Sequence, residues 1–313
     1  MKRQGELKKP GELKKLAETK KAGDLKKLRE FVIEKLLLIS SGTAILVILL
    51  IFFFLFKEAA PLLTPDNWNR LLSPNWYPNA VNPEFGLYPL LLGSLLVTFG
   101  AIVIAVPVGV ATAIYLAEIA HPKIREILKP AIEILAGIPS VVLGFFALVA
   151  IVPWVRTFFG LNTGLTALTG SLILAVMALP TIVTVAEDAI SSVPERYKAA
   201  SLSLGATRWQ TIVRATVPAA MSGITAGIML GVGRAIGETM AVMMVTGNAA
   251  VIPDSFLVPV RTMTATIAGE MGEVPRNSSH YHALFVVGLV LFAITFTINL
   301  VADTVRRRLQ EVE

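Results

Sequence analysis

The chain has 313 residues, 54% of them hydrophobic and 16% charged, with a mean hydropathy of +0.69. Soluble domains carry about 25% charged residues, so this balance excludes an ordinary soluble domain and implies an integral membrane protein. Cysteine is absent, which removes disulfides, thiol nucleophiles and cysteine-based metal sites. The net charge of +6 is spread beside apolar segments and reads as topology, not as a nucleic-acid surface.

In chain order, residues 1–30 form a basic segment that holds eleven of the 28 Lys and Arg residues. Gly5-Glu-Leu-Lys-Lys, Gly11-Glu-Leu-Lys-Lys and Gly23-Asp-Leu-Lys-Lys recur within it. The repeat reads as a solvated tail that sets orientation, or as a surface drawn to anionic membrane lipid. A cleaved leader is not expected, because the basic region and the apolar run behind it are both too long. The first membrane helix is expected within 31–56, where Leu36–Phe56 carries no charge. That exceeds the ~20 apolar residues needed to cross a ~30 Å hydrocarbon layer.

An extracellular loop is expected over 57–86, and a five-helix core over 87–305. Its second span is the charge-free Leu87–Ala117, and the third runs from about Ala131 to Val155 with Glu133 at its edge. The fourth covers Leu165–Ala186, the fifth Thr216–Thr246 and the sixth Ala283–Ala302, before a tail at 306–313. Pro107, Pro139 and Pro180 are candidate bends, although membrane helices also tolerate proline for packing. Sustained period-2 alternation is absent, which argues against a β-barrel. The fold class is all-α, a polytopic membrane protein with six transmembrane helices.

Basic residues mark one side of these spans: residues 1–30, then Lys123, Arg125 and Lys129, then Arg196, Lys198, Arg208 and Arg214, then Arg306, Arg307 and Arg308. The opposite loops hold fewer, with Lys57 and Arg70, Arg156, and Arg261 and Arg276. The positive-inside rule puts both termini in the cytoplasm of a cell-membrane protein.

Arg234 and Glu238 stand out because Ala215–Gly233 and Thr239–Pro253 carry no formal charge. A charge near the bilayer centre costs at least ~2.5–3.5 kcal/mol on insertion scales, so such groups line a bundle interior or an aqueous path. At i,i+4 the two side chains share a helix face and can pair. Gly223, Gly227 and Gly231 repeat every fourth residue, a spacing that allows close helix packing, and they fall on the same face as the charges. A guanidinium is a permanent planar fork of donors suited to oxyanions, and a neighbouring acid would loosen its grip enough for release. The competing reading is an ion pair that merely joins two helices.

The cytoplasmic link 189–214 contains a short helix, with Ser192 as expected cap, Pro194 in the first turn, Glu195 on the helix dipole and Gly205 at the end. It reads either as a helix resting at the lipid interface or as a docking element. Gly205 and Pro218, after an alanine-rich helix, resemble the loop by which bacterial ABC importer permeases dock on their ATPase. Where that family has Glu-Ala-Ala, this chain has Ala199-Ala200-Ser201, and Ala215 replaces the usual Ile. The resemblance assigns Pro194, Glu195, Tyr197, Lys198, Ala199, Ala200, Ser201, Gly205 and Pro218 to ATPase coupling. With the family's carboxylate missing, docking would rest on shape and apolar contact.

The stretch Gly231-Val-Gly-Arg-Ala-Ile-Gly-Glu-Thr-Met-Ala-Val242 narrows the resemblance to the membrane subunits of phosphate importers, the PstC type more than the PstA type. Leu135-Ala-Gly-Ile-Pro-Ser-Val-Val-Leu-Gly-Phe-Phe146 and Thr264-Ala-Thr-Ile-Ala-Gly-Glu-Met-Gly-Glu273 are similar to the same type. The resemblance implies a type I importer fold and a permease subunit, not an enzyme. The implied partners are a PstA-like permease, a PstB-like ATPase dimer and an extracellular PstS-like phosphate-binding protein. It implies no cofactor in this chain, with ATP and magnesium held by the ATPase. The sequence is consistent with that division, since it contains no P-loop. The alternatives are a permease for phosphonate, molybdate or sulfate, a PstA-like subunit, or a transporter independent of ATP. His280 and His282 lack a third ligand for metal, and Trp68, Trp76 and Tyr77 read as interfacial anchors or as contacts for a binding protein.

Overall fold

The computed structural model describes the backbone of residues 10–310, with side chains over 29–304 and at Arg307. The side chains of the repeat at 5–27 and the last residues, 311–313, lie outside the described residues. The chain divides into two compact units, Met1–Phe54 and Leu55–Glu313.

The first unit is helical from Pro10 onward, as most of helix α1 (Pro10–Ala59). The basic segment expected to be a tail is thus continuous with the first span. Leu, Lys, Ala and Glu all favour helix, and Pro is tolerated at a helix start. Leu36–Phe54 presents an exposed apolar surface of the kind lipid covers.

In the second unit, the segment expected as an extracellular loop folds into a small ordered structure. A two-residue antiparallel ladder joins β1 (Trp76–Tyr77) to β2 (Glu84–Phe85), with Trp76 opposite Phe85. Trp76 is 2% exposed and meets Phe85 edge-on at 6.2 Å between ring centres. The expected interfacial anchoring therefore fails for Trp76, which belongs to an apolar cluster with Leu62, Leu71, Leu90 and Leu284. Trp68 and Tyr77 remain exposed.

Helix α2 (Tyr88–Ile114) continues through Pro107 and widens into a π-turn at Tyr115–Ile119. The third span is displaced from its expected position. Helix α3 (Pro122–Gly137) stops short of Pro139, because a residue before proline is disfavoured in the helical region. Ile138 and Pro139 are extended, with ψ of 128° and 138°. The membrane-length stretch is then Ser140–Phe158, in which α4 (Ser140–Phe146) and α5 (Val152–Phe158) flank a π-turn. Helix α6 (Ala167–Ser191) follows, continuous through Pro180 and the most buried of the candidate spans.

A short helix, α7 (Glu195–Ser203), leads to a helical segment over Arg208–Ala219, which meets α8 (Met221–Gly237) at 70°. The fifth span is thus bent at its entrance and broken at its middle, before α9 (Met240–Val245). Helix α10 (Met263–Glu270) lies in the segment that carries Arg261 and Arg276, and α11 (Ser279–Gln310) is the last described helix. By length and composition, five helices among the described residues can cross a membrane, or six when the bent pair counts as one span. The main core joins α2, α4, α6, α8 and α9 through Val97, Leu143, Leu174, Ile182, Ala235 and Val242.

Candidate functional site

Helix α8 owes its position to its small residues. A Cβ at Gly223 would stand 2.4 Å from Ala189 Cβ, and one at Gly231 would stand 2.6 Å from Ile182 Cγ1. At Gly227 it would meet the Val185 and Ala186 region at 3.2–3.3 Å. The expected glycine stripe therefore lets α8 approach α6 more closely than any larger side chain permits.

One turn beyond Gly231, Arg234 is partly buried and donates from Nη1 to Thr181 Oγ1 on α6 over a long 3.5 Å. Its side chain also lines a cavity of about 550 Å³ with Ala226, Met229, Leu230 and Gly233 of α8 and Thr295, Asn299, Ala302 and Asp303 of α11. A Cβ placed on Gly233 would meet nothing within 4 Å, so this wall of α8 faces open space.

Glu238 does not pair with Arg234. The face arithmetic assumed a continuous helix, whereas α8 ends at Gly237 and Glu238 is extended, with φ −68° and ψ 134°. Its Oε1 accepts from the Ala241 N–H at 3.2 Å, capping α9, and its carbonyl accepts from Thr264 Oγ1 at 2.8 Å. Glu238 lines a separate void of about 10 Å³ with Ser94, Thr98, Thr262 and Thr264. The break turns the carboxylate onto the next helix's unsatisfied N–H groups, which are strong partners for an acid.

The link 189–214 holds the short helix expected of it. Gly205 has φ +85°, the Gly205 N–H donates to Leu202 O, and the Ala206 N–H donates to Ser201 O, which together form a Schellman ending. The start differs by two residues. Pro194 precedes α7 without a side-chain cap, and Ser192 instead ends α6, donating from Oγ to Ala189 O. The missing cap is offset by Glu195 in the first turn. Pro218 sits within Val217–Ala219, just before the 70° bend. Leu204 is 90% exposed and Trp209 62% exposed, and Tyr197 and Leu202 are exposed beside them.

Lys198 turns away from this surface. Its Nζ lies 2.8 Å from Glu118 Oε1 on the π-turn after α2, and 3.3 Å from Glu195. Burial works against the ammonium, but the hydrogen bond and attraction of Glu118, with a smaller part from Glu195, hold Lys198 above its ordinary pKa.

Two further clusters escaped sequence reasoning. Glu187 of α6 is 1% exposed and is held by Arg125 and by Lys129 Nζ at 2.6 Å, both from α3, with the Ser191 hydroxyl donating at 3.1 Å. The hydrogen bond to Glu187 is the main cause of a raised Lys129 pKa, aided by one to Asp188 at 3.0 Å. The i,i+4 spacing of Arg125 and Lys129 was the available signal, though it read as topology alone. At the opposite end, Glu270 accepts from Arg261 Nη1 at 2.6 Å, lies 2.8 Å from His280 Nε2, and meets Trp76 Nε1 at 3.2 Å. No group of metal-ligating residues occurs among the described residues.

Residues 105–311, about two thirds of the chain, match the family of binding-protein-dependent transport system inner membrane components. The chain belongs to that family. Among its relatives, the probable ABC transporter permease protein YqgH of Bacillus subtilis is 42% identical over 226 residues, covering 72% of this chain and 73% of the relative. The phosphate transport system permease protein PstC of Mesorhizobium japonicum is 35% identical over 267 residues, 79% and 81% of the two chains. A bacterial ABC transporter involved in the import of alginate superposes with a TM-score of 0.61 at 14% identity, over 92% of this chain and 99% of the other. The inward-facing MetNI methionine ABC transporter gives 0.53 at 22% identity, over 72% and 94%. At such identities the likeness concerns the fold alone, that of an ABC importer permease. This inner-membrane component is a transport permease of several apolar spans.

Proposed function

We propose that this permease is the PstC-like subunit of an ATP-driven phosphate importer and forms half of its translocation pathway. The observation that carries the proposal is Arg234, a permanent cation within a membrane helix, met by one distant hydroxyl and open to a cavity. A guanidinium fits the several acceptor oxygens of phosphate, and a charge left so lightly partnered in a membrane is costly unless it serves a passing anion. Relatives that are named as phosphate transport permeases support the choice of anion.

In this reading a PstA-like permease completes the path, and a PstS-like protein delivers phosphate from outside. A PstB-like ATPase dimer, binding ATP and magnesium, docks from the cytoplasm, where both termini of this chain also lie. The exposed Leu202, Leu204, Tyr197 and Trp209 supply apolar contact for that docking, consistent with the absence of the family's loop carboxylate at Ala199. Glu238 takes part by fixing the break beside Arg234, not by neutralising it.

Radiolabelled phosphate uptake by the reconstituted assembly, with and without ATP, tests this reading. Arg234→Gln is expected to lower ATP-dependent uptake at least ~100-fold while the subunits still copurify. Uptake that persists in that variant overturns the proposal. Competition by phosphonate, molybdate and sulfate identifies the anion.

A further inference from the structure

Thr295, Asn299 and Asp303 repeat every fourth residue along α11, so they form one polar stripe on a helix that is otherwise largely apolar. All three line the cavity that Arg234 enters from α8. Asn299 is exposed within this chain and lies in the last span, five residues before its end at Thr304. An amide turned to acyl chains has no hydrogen-bonding partner, so a stripe of this spacing belongs to a protein-lined or water-filled face. It also supplies an acid on Arg234's side of α8, a place that Glu238 does not occupy.

Resting on the phosphate-permease reading, we infer that α11 is the second wall of the anion path, with each residue of the stripe in a different role. Asn299 offers amide N–H donors to an oxyanion held by Arg234. Thr295 donates to its own helix, at Leu291 O over 2.8 Å, and its hydroxyl proton can be redirected to an anion by rotation about the C–O bond. Asp303 lies about 12 Å further along the helix than Thr295, toward the C-terminal end. Its negative charge opposes retention of the anion and promotes release at the cytoplasmic mouth. Asp303 also accepts from Arg307 Nε at 2.7 Å, a contact one turn beyond the cavity-lining stripe. Conduction requires attraction followed by escape, and the order cation, amide, carboxylate supplies both in sequence.

The test compares four variants in the complete assembly reconstituted in vesicles, with inorganic phosphate as the transported probe. Asn299→Ala and the bulkier Asn299→Leu are expected to raise the KM for phosphate about tenfold, an effect of one lost donor. Asp303→Asn is expected to lower both KM and kcat several-fold, because the anion is held longer. Arg307→Gln removes the Arg307 contact of Asp303 but keeps the carboxylate, and is expected to leave both constants within twofold of the parent. If Asp303→Asn and Arg307→Gln behave alike, Asp303 acts through its ion pair and the inference fails. It also fails if both Asn299 variants keep the parental KM, or if they lose the partner permease on purification, since the stripe is then an assembly surface. Loss of uptake in Arg234→Gln together with parental constants in the stripe variants overturns this inference alone. Persistent uptake in Arg234→Gln overturns the phosphate reading beneath it.

Discussion

Glu187 and Arg234 are both charges set in membrane helices, and their surroundings are opposite in kind. Glu187 is almost wholly buried and meets Arg125, Lys129 and Ser191. Arg234 has one hydroxyl at 3.5 Å and a cavity at its side. The first arrangement closes its own electrostatics, so it can only hold α3 against α6. The second leaves donor capacity unused in a setting where unused capacity is expensive, which is what a transient ligand requires. Charge in the membrane is thus not one signal but two, distinguished by how completely the protein answers it.

The contrast can be broken most severely at Arg234. Arg234→Gln should remove phosphate uptake while thermal unfolding of the purified assembly stays near the parental temperature; a large loss of stability instead would make Arg234 structural like Glu187. The converse is expected for Glu187→Gln. Two cations then lose their shared carboxylate, and because both are partly solvated the cost should be about 1–3 kcal/mol, below that of a fully buried pair. Thermal unfolding in detergent reads this, and an unchanged midpoint would remove the clamp from the account.

A smaller effect is expected at the packing stripe between the two sites. Gly231→Ala puts a methyl group 2.6 Å from Ile182, a side-chain atom that can shift, so a loss of about 1–2 kcal/mol is anticipated. Gly233→Ala is its control, because that position faces open space. Equal destabilisation by the two would disprove the close approach of α8 to α6.

The smallest effect concerns Lys198 and Glu118, which join α7, the helix proposed to dock, to the end of α2. Lys198→Met and Glu118→Gln, alone and together, should show a coupling of about 1 kcal/mol in a double-mutant cycle of unfolding. Each should raise ATP hydrolysed per phosphate moved. Because the pKa of Lys198 is raised, its contribution is complete below the ordinary lysine value of 10.5 and is lost as pH rises through the higher folded value. Stability should therefore be level across neutral pH and fall only in strong alkali, less so in Lys198→Met. Additive single variants would show that no linkage exists.

Much of the membrane architecture was legible because its cause is local. The apolar runs reflect what lipid demands of consecutive residues, and Gly205 could be read as a helix ending because only glycine enters φ +85° at little cost. The stripe at Gly223, Gly227 and Gly231 was equally visible as periodicity. The Pro139 break was a weaker signal, read as a bend in one span when it separates α3 from α4.

Tertiary structure decided the rest. Residue spacing assigned Glu238 to Arg234 on the premise of an unbroken helix, but the chain extends at Glu238 and gives its carboxylate to α9. Trp76 looked like a membrane anchor until the hairpin buried it against Phe85. Lys129 meets Glu187, Glu118 meets Lys198 and Arg261 meets Glu270 from other elements, so no local pattern announces these pairs. Composition and periodicity determine which segments enter the bilayer, because transfer from water depends on each residue and its near neighbours. Which charges are neutralised, and which remain available to an anion, depends on side chains brought together across the fold, and only packing sets those distances.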